Sequence, residues 1–234
     1  MPTRGARPRN TTRADGVLRS IRLDILNGTL PPGSRLGFTD LGARYDVSTG
    51  VLREVLPRLV EQGLATSEPQ LGYRVIDVSI DRLTHLTEAR VAIEGLVTRQ
   101  AIHHGDLAWE AEIVARHHAL VRRTAEATGT TVHEDWIVAH EQFHLAILLG
   151  CPNPYLVDTA RRLRSVAEVY RCWAAPAIEA SHRDVASEHR ELMEAAIGRD
   201  PETAVSRTEA HIRRTTDLLL EGHRLRGDVA LEAH

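Results

Sequence analysis

The chain has no lysine: all 29 of its basic side chains are arginine. A GC-rich genome accounts for such a bias, and its physical consequence is a set of planar guanidinium forks suited to bidentate phosphate contacts. Cysteine is almost absent too. Cys151 and Cys172 are too few for a disulfide framework and fit a reducing compartment. No apolar run approaches membrane-spanning length and the N-terminus has no apolar signal core, so a cytoplasmic chain without a membrane partner is expected. No segment reads as a nucleotide-binding loop, a catalytic serine triad or a flavin site. What is present is 234 residues, enough for two domains, of which 42% are apolar. The net charge of −3 is unevenly spread: residues 1–78 hold 11 basic against 8 acidic side chains, and the remainder 18 against 24. Positive potential is therefore concentrated in the first third.

Within that third, Val51, Leu52, Val55, Leu56, Leu59 and Val60 fall on one stripe of a helix, leaving Thr49, Gly50, Arg53 and Arg58 outside it. A short helix over 39–45 precedes it, joined by Asp46-Val47-Ser48, where Ser48 is placed to cap the second helix. Two extended runs follow, 64–67 and 73–78, around the turn Pro69-Gln70-Leu71-Gly72. Helix, turn, helix and hairpin make a winged helix-turn-helix.

These residues resemble the GntR family of bacterial transcription regulators. The resemblance rests on Pro32-Gly33-Ser34-Arg35-Leu36, on Ser48 with Arg53-Glu54-Val55-Leu56, on Leu59-Val60-Glu61-Gln62-Gly63-Leu64 and on the wing glycine Gly72. It implies a dimer reading double-stranded DNA at an imperfect palindrome, with Arg53 and Thr49 of the recognition helix at base edges beside Gly50. Ser48, Arg35 and wing residues near Arg74 are then expected at phosphates. Two departures stand out. Thr49-Gly50-Val51 replaces the family's Arg-Thr-Pro, which removes a base-reading arginine, and Pro57 lies inside the helix, where it deletes a hydrogen bond and predicts a kink.

Residues 1–14 read as a flexible basic arm and 15–78 as the winged-helix domain, whose first helix ends at the cap Asn27-Gly28. Residues 79–234 read as helix throughout, in six segments near 80–104, 106–128, 131–149, 154–175, 178–198 and 201–226. Gly105-Asp106, a Thr131/Glu134 capping box, Gly150 to Pro154 and Gly198 to Pro201 punctuate them. The expected fold is thus mainly α, a winged helix ahead of an antiparallel bundle. That order is similar to the FadR subfamily, whose sensing domain is called FCD.

Four of the 13 histidines fall at related depths. His140 and His144 are one helical turn apart; His189 lies nine residues before Gly198, and His211 ten after Pro201. In antiparallel neighbours those offsets place both about 14 Å from the turn. Converging neutral imidazoles suit a divalent metal, zinc first and nickel or another late first-row ion next. The competing reading is scattered histidines. FCD resemblance implies a metal on an Asp-x-x-x-His pair plus two later histidines, matched by His144, His189 and His211, with His140 where the family has Asp. The exchange leaves the site one negative charge short and favours an anionic ligand. His85, His103, His104, His117, His118, His133, His182 and His223 are expected at the surface.

The segment His140-Glu141-Gln142-Phe143-His144 also spells HExxH, which raises a zinc-peptidase alternative with Glu141 as base; a purely structural metal is another. Against an enzyme stand the DNA-reading module and the absence of a strand edge for a peptide. Resemblance further implies that Arg90, in an Arg-x-x-x-Glu pair with Glu94, binds a carboxylate effector, an intrahelical salt bridge being the other reading. On the fourth bundle helix Arg161, Arg164, Ser165 and Glu168 are near the histidines' depth, with Arg164 the second effector candidate. Arg162 and Arg171 are expected in solvent, Trp136, Phe143 and Ile147 as core or pocket wall, and Cys172 as a buried thiol.

Overall fold

A computed structural model describes residues 12–126, 134–173 and 183–231. The chain divides into two compact units, Met1–Asp77 and Val78–His234.

In the first unit, α1 (Arg13–Leu26) begins two residues before its expected start because Thr12 and Asp15 form a reciprocal capping box. Arg13 and Ala14 therefore belong to this helix and not to the arm expected over 1–14, whose residues 1–11 lie outside the described ones. Its C-terminus is the expected one, Asn27 followed by Gly28 at φ +81°. Ile21 and Ile25, both fully buried, lie on its inner face. α2 (Phe38–Tyr45) ends with Asp46 in the left-handed region, and the turn leads into α3 (Thr49–Glu61). Leu52, Val55, Leu56 and Leu59 of α3 are buried to the last atom, whereas Val51 and Val60 are only half-buried at the stripe's margins. α3 is a single helix through Pro57. Ser48 occupies the N-cap position but makes no side-chain capping bond, contrary to expectation. Arg58, expected outside, instead reaches Asp15 of α1 at 2.8 Å. That bond, with those from Thr12, lowers the Asp15 carboxyl to about 2.

The wing is an antiparallel pair, β1 (Ala65–Glu68) and β2 (Gly72–Val75), in register Ala65 to Val75. A third edge comes from the Pro32-to-Leu36 segment: Arg35 bridges Arg74, Leu36 N–H donates to Tyr73 O (2.8 Å) and Val75 N–H to Ser34 O (2.9 Å). The turn needs positive φ at Gln70 (+64°) and Gly72 (+85°), which explains the glycine.

In the second unit α4 (Ile80–His104) packs on α7 (Pro154–Trp173) and α9 (Pro201–Leu231), while α5 (Leu107–Glu126) packs on α6 (Glu134–Leu148) and α8 (Val185–Ile197). The capping residue expected at Thr131 lies outside the described residues, and α9 continues past its expected end near 226. Helix starts are otherwise fixed by side chains: Ser79 Oγ accepts from Arg82 N–H, Asn153 Oδ1 from Tyr155, Asp184 from Ser187 and Asp200 from Thr203.

Trp109 locks one end of this bundle. Its indole N–H donates to the carbonyls of Ala146 and Ile147 (2.9 and 3.1 Å), satisfying the last turn of α6. A Cβ at Gly150 would stand 2.7 Å from the indole Nε1, and one at Gly105 closer still, so both glycines are required by the close approach of Trp109. The core below it is aliphatic around Phe143, with Val97, Ile113 and Leu120 fully or nearly enclosed. Polar side chains are also buried among the described residues of this unit. Thr87, Arg90, Glu94 and Thr98 of α4, His140 and His144 of α6, Ser165 and Glu168 of α7, His189 of α8 and Thr208 and Thr216 of α9 are all buried. Buried polar groups must find partners, so this interior is where chemistry is expected.

Candidate metal centre and DNA-reading surface

His140 and His144 descend from α6, His189 from α8 and His211 from α9, and one ring nitrogen of each lies within 4.8 Å of the other three. The depth argument from the turns holds because these helices are antiparallel and rise equally from them. His144 Nε2 and His189 Nε2 face one another at 3.2 Å. A tetrahedral zinc with Zn–N of about 2.0–2.1 Å separates its nitrogens by about 3.3 Å, so this edge is already at ligand spacing. Burial, first of all, lowers the pKa of His140, His144 and His189 well below the ordinary imidazole value. Neighbouring arginines, and the rings' mutual penalty on protonation, add to it: Arg171 and then His189 for His140, Arg164 for His144, His211 for His189. The rings are therefore held neutral, the form that ligates.

Two further observations fit an ion. His140 Nδ1 is buried and has no hydrogen-bond partner among the described residues, Glu168 Oε2 standing 3.9 Å away. His211 Nδ1 lies 2.8 Å from Glu188 Oε2, a carboxylate also held by Arg183 at 2.5 Å and Arg214 at 3.2 Å. Four imidazoles without a carboxylate form the donor set, which Zn, Ni and Cu tolerate and Mg or Ca do not.

The two arginines expected to meet a carboxylate meet one already. Glu94, its side chain 1% exposed, takes Arg90 Nε on Oε1 and Arg164 Nη1 on Oε2, both at 2.6 Å. Burial alone would raise the Glu94 pKa; Arg90 and Arg164 outweigh it and hold the carboxyl ionised below its usual range. Two guanidiniums against one carboxylate leave a buried excess of one positive charge, and Arg164 is close enough to depress all four histidines. Arg161 is at the surface beside Asp158.

Arg171 overturns its expected place in solvent. Its side chain is 13% exposed, chelates Glu168 and lies 4.5 Å over the Trp136 ring. Cys172 beside it is half-buried, not fully buried. His117, also assigned to the surface, is half-buried against Phe143 at 5.5 Å between ring centroids. His85, His103, His104 and His118 are exposed, while His133, His182 and the His223 side chain lie outside the described residues. Sequence reading missed Glu188 altogether; its only signal was an acid directly before His189.

On the first unit Ser48, Thr49, Gly50 and Arg53 are exposed together at the start of α3, and Arg35 is exposed on the strand beside β2. Arg74 is half-buried and gives Nη1 to Gly33 O at 3.0 Å, so one of its donors is committed to the segment that runs beside the wing.

A winged helix with an open recognition helix, followed by a helical bundle with a polar interior, defines a DNA-binding transcription regulator. The chain belongs to the GntR family: residues 13–75 match the model for bacterial regulatory proteins of the gntR family, and residues 85–214 the FCD domain. It is 32% identical over 200 residues to a HTH-type transcriptional regulator, BphR, of Paraburkholderia xenovorans, covering 85% of this chain and 81% of that one. It is also 32% identical over 204 residues to the HTH-type transcriptional repressor GlaR of Escherichia coli, covering 86% and 92%. The fold is shared with E. coli McbR/YncC, at TM-score 0.74 and 20% identity over 92% of this chain and 100% of that one. Family and relatives are regulators and not enzymes, so the HExxH segment is not a peptidase site. Among the described residues no helix is long and apolar enough to cross a membrane.

Proposed function

We propose that this regulator is a homodimeric, cytoplasmic repressor whose helical domain, residues 79–234, senses a small carboxylate through a bound divalent metal, zinc before nickel. The observation that carries the reading is the convergence of His140, His144, His189 and His211 on one point of a buried interior. When bound, the metal supplies a Lewis-acidic position open to an anion; Arg164 and Arg90, with their unbalanced positive charge, attract and orient that anion. Residues 13–77 carry DNA recognition, with Arg53, Thr49 and Gly50 at bases, and Ser48, Arg35, Arg74 and the Gly72 turn at phosphates of an imperfect palindrome. Repression draws support from relatives named as repressors, GlaR and a probable D-xylose utilization operon repressor of Paenarthrobacter nicotinovorans.

The carboxylate changes operator affinity only by binding better to one arrangement of the dimer than to the other. The experiment is elemental analysis of protein purified without chelator, followed by operator binding with and without a panel of small carboxylates. About one metal per chain and release by a carboxylate are expected. Metal without any carboxylate response makes the ion purely structural, and no metal returns the histidines to ordinary core residues.

A further inference from the structure

Among the four histidines, the described hydrogen bonds fix the tautomer of His211. Its Nδ1 is 2.8 Å from Glu188 Oε2, and an ionised carboxylate only accepts, so Nδ1 carries the proton and Nε2 of the neutral ring keeps its lone pair. Arg183 Nη2 stands 3.3 Å from the same nitrogen, but its donors are engaged by Glu188 and by the His211 carbonyl at 3.1 Å. Arg183 thus fixes the carboxylate, and Thr215, which accepts from Arg183 Nη1 at 2.9 Å, fixes Arg183. Glu188 also directly precedes His189 on α8, so one helical turn presents a ligating ring and the group that aims a ring of α9.

We propose that Glu188, braced by Arg183, is the positioning residue of the metal centre, presenting His211 to the ion as its Nδ1–H tautomer. This rests on the metal-site reading above. Such outer carboxylates typically govern metal affinity by roughly 10–100-fold. No role of this kind is open to Glu168 at His140, where the separation is 3.9 Å.

The test compares wild type, Glu188→Ala and Glu188→Gln in full-length protein, measuring zinc affinity by chelator competition and the His211 tautomer by imidazole 15N NMR of metal-free protein. Wild type is expected to show Nδ1–H at His211, and Glu188→Ala a mixture of tautomers with zinc bound about 10–100-fold more weakly. Glu188→Gln keeps an acceptor oxygen but loses the ion pair, so it should fall between the two and serves if the alanine variant does not fold. A carboxylate of merely structural importance would alter melting of the metal-free protein and leave zinc affinity alone. An Nε2–H tautomer in wild type, or zinc affinity in both variants within about twofold of wild type, overturns the proposal. Wild type that takes up no zinc while showing the Nδ1–H tautomer overturns the metal site itself, and the positioning role with it.

Discussion

Trp136 and His140, one turn apart on α6, lie face to face with ring centroids 4.6 Å apart and planes 14° from parallel. The other face of the stack is cationic: Arg171 lies over Trp136, and Glu168 chelates Arg171. Trp136 is further anchored by its N–H on Thr124 Oγ1 at 2.9 Å. His140 is thereby clamped in plane beside His144. Its neutral ring gains from stacking what a charged carboxylate at that place could not, and this wall explains why Arg171 is inside the bundle.

His140 is therefore the histidine whose loss is most informative. His144→Ala or His189→Ala should empty the site and lower the melting temperature of metal-loaded protein. His140→Ala tests whether the fourth imidazole ligates: metal content measured after gel filtration should fall, and full retention would reduce the site to three histidines.

The acid limb of stability follows from the same burial. His140, His144 and His189 have pKa values below the ordinary imidazole value in the folded chain, so as pH falls below about 6.5 the unfolded chain takes up protons that the folded chain refuses. Their contribution is complete above that pH and is lost as pH falls toward the folded values. Each such histidine steepens the loss by about 1.4 kcal/mol per pH unit. Melting of metal-free protein between pH 7.5 and 5 should show the decline, and His144→Ala should flatten it.

Arg53→Ala should weaken specific operator binding by about 1–3 kcal/mol if Arg53 makes a bidentate base contact, with a smaller effect on unrelated DNA. A salt titration of wild type should give a steep negative slope. Unchanged operator affinity in the variant would remove Arg53 from the base-reading set.

Gly150→Ala should destabilise the bundle by about 1–3 kcal/mol, since the new methyl collides with the Trp109 indole that closes the end of α6. Chemical denaturation measures it. A cost within error would mean that Trp109 swings away freely.

Glu141→Gln should leave metal content, carboxylate response and operator release unchanged, because a regulator gives this carboxylate no proton to move. Arg90→Ala should weaken the carboxylate response without emptying the site, while also stranding part of the Glu94 charge. Thermal shifts with and without carboxylate, read alongside DNA release, separate the two. A normal response in Arg90→Ala would place the anion on Arg164 and the metal alone.

The order of elements and the depth of the four histidines were legible before any packing was known. Both follow from local rules: apolar periodicity, glycine, proline and capping punctuation, and a constant rise per residue measured from shared turns. The His140/His144 pair needed no more than the helical repeat, and Thr49, Gly50 and Arg53 were left exposed by the stripe of α3. The electrostatic partners between helices came only with the packing. Arg58 reaches Asp15 across two helices, Arg164 joins Arg90 on Glu94, Arg171 folds over Trp136, and Glu188 takes the outer nitrogen of His211. Periodicity gives the face a long side chain leaves from but not the rotation of the opposing helix or the rotamer that ends at a partner. A flexible arginine spans several ångströms, so whether it meets solvent or a buried carboxylate is settled only when the helices pack.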